Sequence, residues 1–229
     1  MQPLTIFIYS FCYLMVFILS LISKKEGSQR LIKDDATISD KPGNIIGLHI
    51  IGIMWLGMVP WFVLKLSVLK TFTGSGIPHS SVLVIIAALL ILATALAIRV
   101  GKNIQQQPAN SNYINNQLPV RFLTSYFALR MVFLFSYELF FRGFLLFDSI
   151  QAMGIIPAVI LNVLLHQLLH LFNSKKEMLA CIPFSLLVCW LCILCNAAWP
   201  AVILHITISL LYEINLYKSH FSAAKIARL

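Results

Sequence analysis

Glu138 and Arg142 place a carboxylate and a guanidinium four residues apart inside 136–147, a run that is otherwise mostly apolar and aromatic. On a helix the two lie one turn apart on one face and can pair. His166 and His170 repeat that spacing in 161–170, as do His205 and Ser209 in 199–209. Carboxylates and imidazoles gathered in one pocket can activate a water by moving its proton. The same groups can also hold helices together by hydrogen bonds. In a bilayer an ionised group costs at least about 2.5–3.5 kcal/mol on insertion scales, so such residues face a bundle interior, take partners and mark function by default.

The elements that must position them are membrane spans. The chain has 229 residues, 59% hydrophobic and 11% charged, with a mean hydropathy of +0.87. Since a span needs about 20 mostly apolar residues, this is an all-α, polytopic membrane helix bundle. Apolar runs fall at about 4–22, 45–69, 82–98, 120–147, 155–172, 178–195 and 199–217, which predicts about seven transmembrane helices. The net charge of +9 does not point to nucleic acid, because the basic residues lie between the apolar runs. Lys24, Lys25, Arg30, Lys33 and Lys41, then Arg99, Lys102 and Arg121, then Lys175 and Lys176, then Lys218, Lys225 and Arg228 all fall on one side of a seven-span chain. The opposite side holds Lys70, with Lys65 at a span end. That asymmetry predicts an N-terminus outside and a cytoplasmic C-terminus.

The first run lacks a basic leader and is followed by Lys24 and Lys25, as in a retained first helix. Residues 1–100 read as an N-terminal three-helix membrane segment and 101–118, rich in Gln, Asn and Pro, as a polar cytoplasmic loop. Residues 119–217 form a four-helix core, and 218–229 a basic cytoplasmic tail. Pro60 and Pro183 are expected to kink their helices. His49, His79 and His220 are isolated and read as interfacial or solvated. Cys181, Cys189, Cys192 and Cys195 share one apolar stretch and read as packing residues, because no second cluster completes a metal site.

The back half resembles a known family. Glu138-Leu-Phe-Phe-Arg142-Gly143, then His170, then His205 behind Trp199-Pro200, is similar to the CPBP family, the CAAX prenyl endopeptidases and bacteriocin-processing or immunity proteins also called Abi, over about 119–217. The family's motifs are EExxxR, FxxxH, and a His followed four residues on by Asn or Asp. This chain has Tyr137 for the first Glu, then Glu138 and Arg142; His166 for the Phe, then His170; and His205 followed by Ser209 for the Asn. The resemblance implies an intramembrane endopeptidase acting near the cytoplasmic face of a bacterial cytoplasmic membrane. In it, the first Glu and the second-motif His would activate water, and the third-motif pair would stabilise the oxyanion. Its partner would be a peptide or protein in the bilayer, with no nucleic acid and no cofactor.

The departures leave alternatives open. Tyr137, with an ordinary pKa near about 10, does not serve as a base at neutral pH without a large shift. Glu138 would have to take that role or act through a water held by His170, with His166 as a second imidazole. Ser209 donates one hydrogen bond from a side chain shorter than Asn. One alternative is a catalytically inactive relative that binds a membrane protein or peptide as an immunity or assembly factor. A second is a zinc protease using His166, His170 and His205 with Glu138, although Gln167 stands where an HExxH motif needs its Glu. A proton-coupled transporter has no discontinuous helix pair to support it. Finally, a straight helix from Arg121 would put Glu138 about 25 Å deep and His170 about 7 Å deep, too far apart to meet. Pro119 to Leu129 is therefore expected to be interfacial or strongly bent.

Overall fold

The structure is a computed structural model describing residues 1–26, 31–32, 38–39, 41–74, 80–105, 119–171 and 175–226. Among these residues the protein is helical, without a β-strand. Helix α1 spans Pro3–Glu26, and α2 spans 42–64, with α-helical Pro42–Ile53 and Val59–Leu64 flanking a π-helical Met54–Met58. The short α3 is Val68–Thr73 and α4 is Ser80–Gln105. Helix α5 runs over 120–153, as α-helical Val120–Glu138, π-helical Leu139–Leu145 and α-helical Leu146–Met153. Then follow α6 (Ile155–His170), α7 (Lys175–Cys195) and α8 (Trp199–Ile226).

The protein is an all-α polytopic membrane bundle. Among the described residues, five helices are long and apolar enough to cross a bilayer: Pro3–Ser23, Pro42–Leu64, Ser80–Arg99, Met178–Cys195 and Trp199–Lys218. Of the other two expected spans, Ile155–His170 is apolar but short, and α5 interrupts its apolar sequence with Arg130, Glu138, Arg142 and Asp148. Apolar side chains such as Phe7, Phe62, Val84 and Ile91 stand exposed on the outer helices, where lipid replaces water as their surroundings. Helix α4 continues past the expected span end to Gln105, and 106–118 of the polar loop lie outside the described residues. The tail is helical to Ile226. Pro60 follows the π turn of α2; its missing N–H removes one regular helical bond there. Pro183 lies inside α7 without ending it.

Helix α5 contributes to all three apolar cores. Its Tyr137 and Leu139 to Phe141 pack with Tyr9, Cys12 and Val16 of α1 and Leu56 of α2. Leu146 packs with Val82 and Ile86 of α4 and with Val188 to Cys195 side chains of α7 and Leu204 of α8. Leu123 and Tyr126 pack with Leu31, Ile32, Ile45 and Leu216. The front helices thus share their cores with the back four. Residues 119–129 are neither a break nor a bend in the helical ladder: Val120–Glu138 is one uninterrupted α-helix, with Leu123 and Tyr126 buried.

Tight turns set the helix ends. Gly154 at φ 87° turns α5 into α6, and Asn196 at φ 48° turns α7 into α8. Ala198 N–H donates to the Thr71 carbonyl at 3.0 Å, fixing α3 against that second turn. Gly74, at φ 73°, sits there too, and a Cβ on it would lie 2.6 Å from the Asn196 carbonyl oxygen. The same Cβ on Gly154 meets nothing within 4 Å. With φ positive and ψ near 180° at both glycines, a side chain costs about 1–3 kcal/mol at either position, so the clash distinguishes them. Gly74→Ala is expected to lower the thermal midpoint of the detergent-solubilised protein well beyond Gly154→Ala. Equal losses would contradict the packing of α3 on the α7–α8 turn.

Candidate functional site

Helices α5 and α8 run antiparallel and are joined by a ladder of polar side chains. At one rung the Glu138 carboxylate is bound by His205 through Oε1 and Nδ1. Glu138 Oε2 faces Arg142 Nη1 at 3.3 Å, and both side chains are fully buried. A buried charge without a partner costs several kcal/mol, so the three groups stand or fall together. Arg142 donates from Nη2 to Ser185 Oγ at 2.8 Å and lies over the Phe141 ring at 5.6 Å.

The π-helical turn that follows Glu138 carries Arg142 inside it. Winding one residue wider frees backbone groups of their usual partners. Asn162 of α6 donates Nδ2–H to the Phe141 carbonyl, and Cys189 of α7 donates to Asn162 Oδ1 at 3.4 Å. Cys189 therefore adds a polar tie to the packing role expected of it. Gly143 keeps the turn narrow: a Cβ there would lie 2.7 Å from Thr71 Cγ2.

The next rung is built on Arg130. Its guanidinium donates to Ser209 Oγ from Nη2 at 2.8 Å and Nε at 3.2 Å, and pairs with Glu213 Oε2 at 2.9 Å. Nη1 donates to Tyr126 Oη at 3.2 Å, and Tyr126 Oη–H donates to Glu213 Oε1 at 2.7 Å. The sequence reading missed this cluster. Its signal was present, since Glu213 is a carboxylate inside an apolar run and lies four residues beyond Ser209, on the His205 face.

Two cavities meet at these rungs. One, of about 220 Å³, lies between α1, α2, α5 and α6 and is lined by Ser20, Ser23, His49 and Tyr137 among others. The other, of about 470 Å³, lies between α7 and α8 and is lined by Cys181, Phe184, Ile208 and Tyr212 among others. Arg130, His170, His205 and Ser209 line both. His205 is 16% exposed, whereas the Glu138 that binds it reaches neither cavity. The front helices, whose sequence carried no readable motif, form the wall of the smaller cavity.

The structure therefore brings Tyr137, His170, His205 and Ser209 together around open space, and holds Glu138 and Arg142 behind them. Tyr137 packs its ring on His166 and His205, with centroids 5.6 and 5.9 Å away. His166 is 1% exposed, enclosed by the rings of Tyr137, Phe141 and His170, and lines neither cavity. Glu138 and His170 share the site although α5 is unbroken, so of the two expectations for Pro119 to Leu129, interfacial or strongly bent, the bend is not found. The depth argument from Arg121 assumed that α5 and α6 end in one plane. Instead α6 stops at His170, and the first half of α5 extends beyond it, covered by the second half of α8 through Tyr126 and Glu213.

One further expectation is corrected. His49 is buried at 6% exposure; its Nδ1 bonds the Ile45 carbonyl at 2.8 Å, and its ring meets Tyr126 and Phe133 at 5.7 and 4.9 Å. It belongs to the cavity wall, because α2 packs along α5 there. His79 and the His220 side chain lie outside what the structure describes. The zinc set is not assembled: among the described residues no group of three or more His, Cys, Asp or Glu is placed to hold a metal. Glu138 is engaged by His205 and Arg142, and His166 is enclosed in aromatic rings.

Residues 119–211 match the family model described as type II CAAX prenyl endopeptidase Rce1-like. No curated protein matches the chain. The matched residues run from the start of α5 into α8 and carry Glu138, Arg142, His170, His205 and Ser209. The match takes in most of the polar ladder and stops short of Glu213; over residues 119–211 the chain is similar to the Rce1-like, CAAX protease-type intramembrane endopeptidases of the CPBP family.

Proposed function

We propose that the chain is a peptidase of the cytoplasmic membrane in which His205, held by Glu138, is the general base. The supporting observation is the pairing itself: a fully buried carboxylate grips Nδ1 of an imidazole that is exposed to both cavities. A carboxylate in this position sets the tautomer and steadies the imidazolium that forms, leaving Nε2 to take a proton. This base does not require a carboxylate at 137.

In this reading a peptide lies across the junction of the cavities with its scissile carbonyl facing His205. Nε2 of His205 takes a proton from water as the water oxygen forms a bond to the carbonyl carbon, and the carbonyl π electrons move to oxygen. As the tetrahedral intermediate collapses, the C–N bond breaks and His205 returns its proton to the leaving nitrogen. Acid and amine are the products. His170, on the facing helix and lining both cavities, orients the water or the amine. Lys175 and Lys176 follow His170 closely, and this charge asymmetry supports a site that opens toward the cytoplasm at this end.

A second reading is a non-hydrolytic relative that binds a membrane peptide or protein in the same space. Tyr137 favours it, since a phenol stands where the family has its carboxylate and that side chain lines the smaller cavity. The two readings separate in one experiment: cleavage of a pooled library of leader and C-terminal peptides by the full-length protein in detergent. If His205 is the base, the wild type cuts, and His205→Ala and Glu138→Gln each lower kcat/KM by about 100-fold to 10,000-fold. Glu138→Gln is the informative carboxylate variant, because it keeps the shape of the group beside Arg142. A silent wild type that gains cleavage in Tyr137→Glu would refute the His205 reading and establish the binding one.

A further inference from the structure

The cavity of about 220 Å³ is walled on one side by α1 and α2, which lie outside the matched residues 119–211, and it reaches His170 and His205. Much of its remaining lining is apolar, as at Val16, Leu19, Ile45, Leu48, Phe133 and Leu134. Two polar groups of that lining have hydrogen-bonding capacity that the protein leaves unused. Tyr137 is 6% exposed, and its Oη finds no partner among the described residues. His166, whose ring meets that of Tyr137 at 5.6 Å, does not take the hydroxyl up, since both of its own nitrogens are unpartnered. A buried hydroxyl in that state destabilises the empty protein, and packing gives no reason to keep it. His49 reaches the cavity from α2. Its Nδ1 lies 2.8 Å from the Ile45 carbonyl, and a carbonyl only accepts, so Nδ1 carries the proton. In the neutral ring Nε2 is then an acceptor, with no partner among the described residues.

We propose that this cavity is a subsite for the backbone of an extended peptide, in which Tyr137 Oη–H donates to a peptide carbonyl and His49 Nε2 accepts a peptide N–H. The inference rests on the reading that a membrane peptide is taken up at His205. One turn of helix, about 10 Å wide and about 5.4 Å high, occupies about 400 Å³ and does not fit. A segment entering the cavity is therefore unwound, and each of its residues brings an N–H and a C=O that have lost their helical partners. One donor and one acceptor set in otherwise apolar walls meet that need. Both contacts lie away from the scissile bond, so they hold the peptide equally before and during the reaction and act on its affinity rather than on the chemical step. The front helices thereby take part in recognition through His49. With His205 as the base, position 137 is free to bind, and a phenol serves there as a donor that an ionised carboxylate is not.

The test uses full-length protein in detergent and the pooled leader and C-terminal peptides, read by cleavage and by the rise in thermal midpoint that each peptide causes. Tyr137→Phe and His49→Phe each remove one hydrogen bond and are expected to raise KM by about 2-fold to 10-fold with kcat little changed. For a peptide that binds without being cut, Kd takes the place of KM. Copies of the best peptide, N-methylated at one backbone amide at a time, identify the N–H that His49 accepts. At that position the methyl group should weaken binding to the wild type by about 2-fold to 10-fold and cost nothing further in His49→Phe. Without peptide, Tyr137→Phe should melt no lower than the wild type, because the hydroxyl it deletes has no partner in the protein. A lower midpoint would give that hydroxyl a structural role and overturn the proposal. So would an unchanged KM in both variants, methyl effects that persist in His49→Phe at every position, or a wild type that neither cuts nor is stabilised by any of the peptides. The base assignment fails separately: if His205→Ala still cuts while KM depends on Tyr137 and His49, the subsite stands and His205 is not the base.

Discussion

A carboxylate with no exposure inside a membrane bundle is the constraint around which the rest is arranged. Glu138 is tolerable there only because Arg142 neutralises it and His205 satisfies it by hydrogen bonding. Each partner then needs its own support. Arg142 requires Ser185 from α7, and the π turn that carries Arg142 requires Asn162 from α6, itself tied to Cys189. One buried charge thereby fixes α5, α6, α7 and α8 relative to one another. Apolar packing alone would not do so in lipid, where sliding one apolar surface past another changes little.

The same requirement accounts for the second rung. Arg130 and Glu213 are opposite charges on facing helices, and Tyr126 and Ser209 complete them. His205 in the first rung and His170 on α6 line the two cavities beside these rungs. Function and stability draw on one set of contacts here. A variant of either rung is expected to disturb both, which is why shape-preserving or paired substitutions are the useful ones.

The helical fold, the membrane setting and the gathering of Glu138, Arg142, His170 and His205 were legible because each rests on a strong local rule: long apolar runs span membranes, and charges within them seek partners. The Arg130–Glu213 rung follows from the same rule but was passed over. Arg130 and Glu213 lie in separate apolar runs far apart in the chain, so nothing local pairs one with the other. His49 was misjudged because an isolated histidine carries no partner in sequence; its partners, Tyr126 and Phe133, come from another helix. Ser185 and Asn162 are ordinary residues in apolar helices, and nothing local predicts the π turn they serve. The role of α1 and α2 as a cavity wall was equally invisible, since their wall residues are mostly apolar and their meaning lies in what they face.

The central claim is that Glu138 holds His205 by Nδ1 and so leaves Nε2 toward the cavities. The most direct measurement is nitrogen NMR of the full-length protein labelled at histidine, with His205 assigned by its loss in His205→Ala. The account predicts that His205 carries its proton on Nδ1, in a strong hydrogen bond whose signal shifts or disappears in Glu138→Gln. A His205 protonated on Nε2, or a signal indifferent to Glu138→Gln, would contradict it.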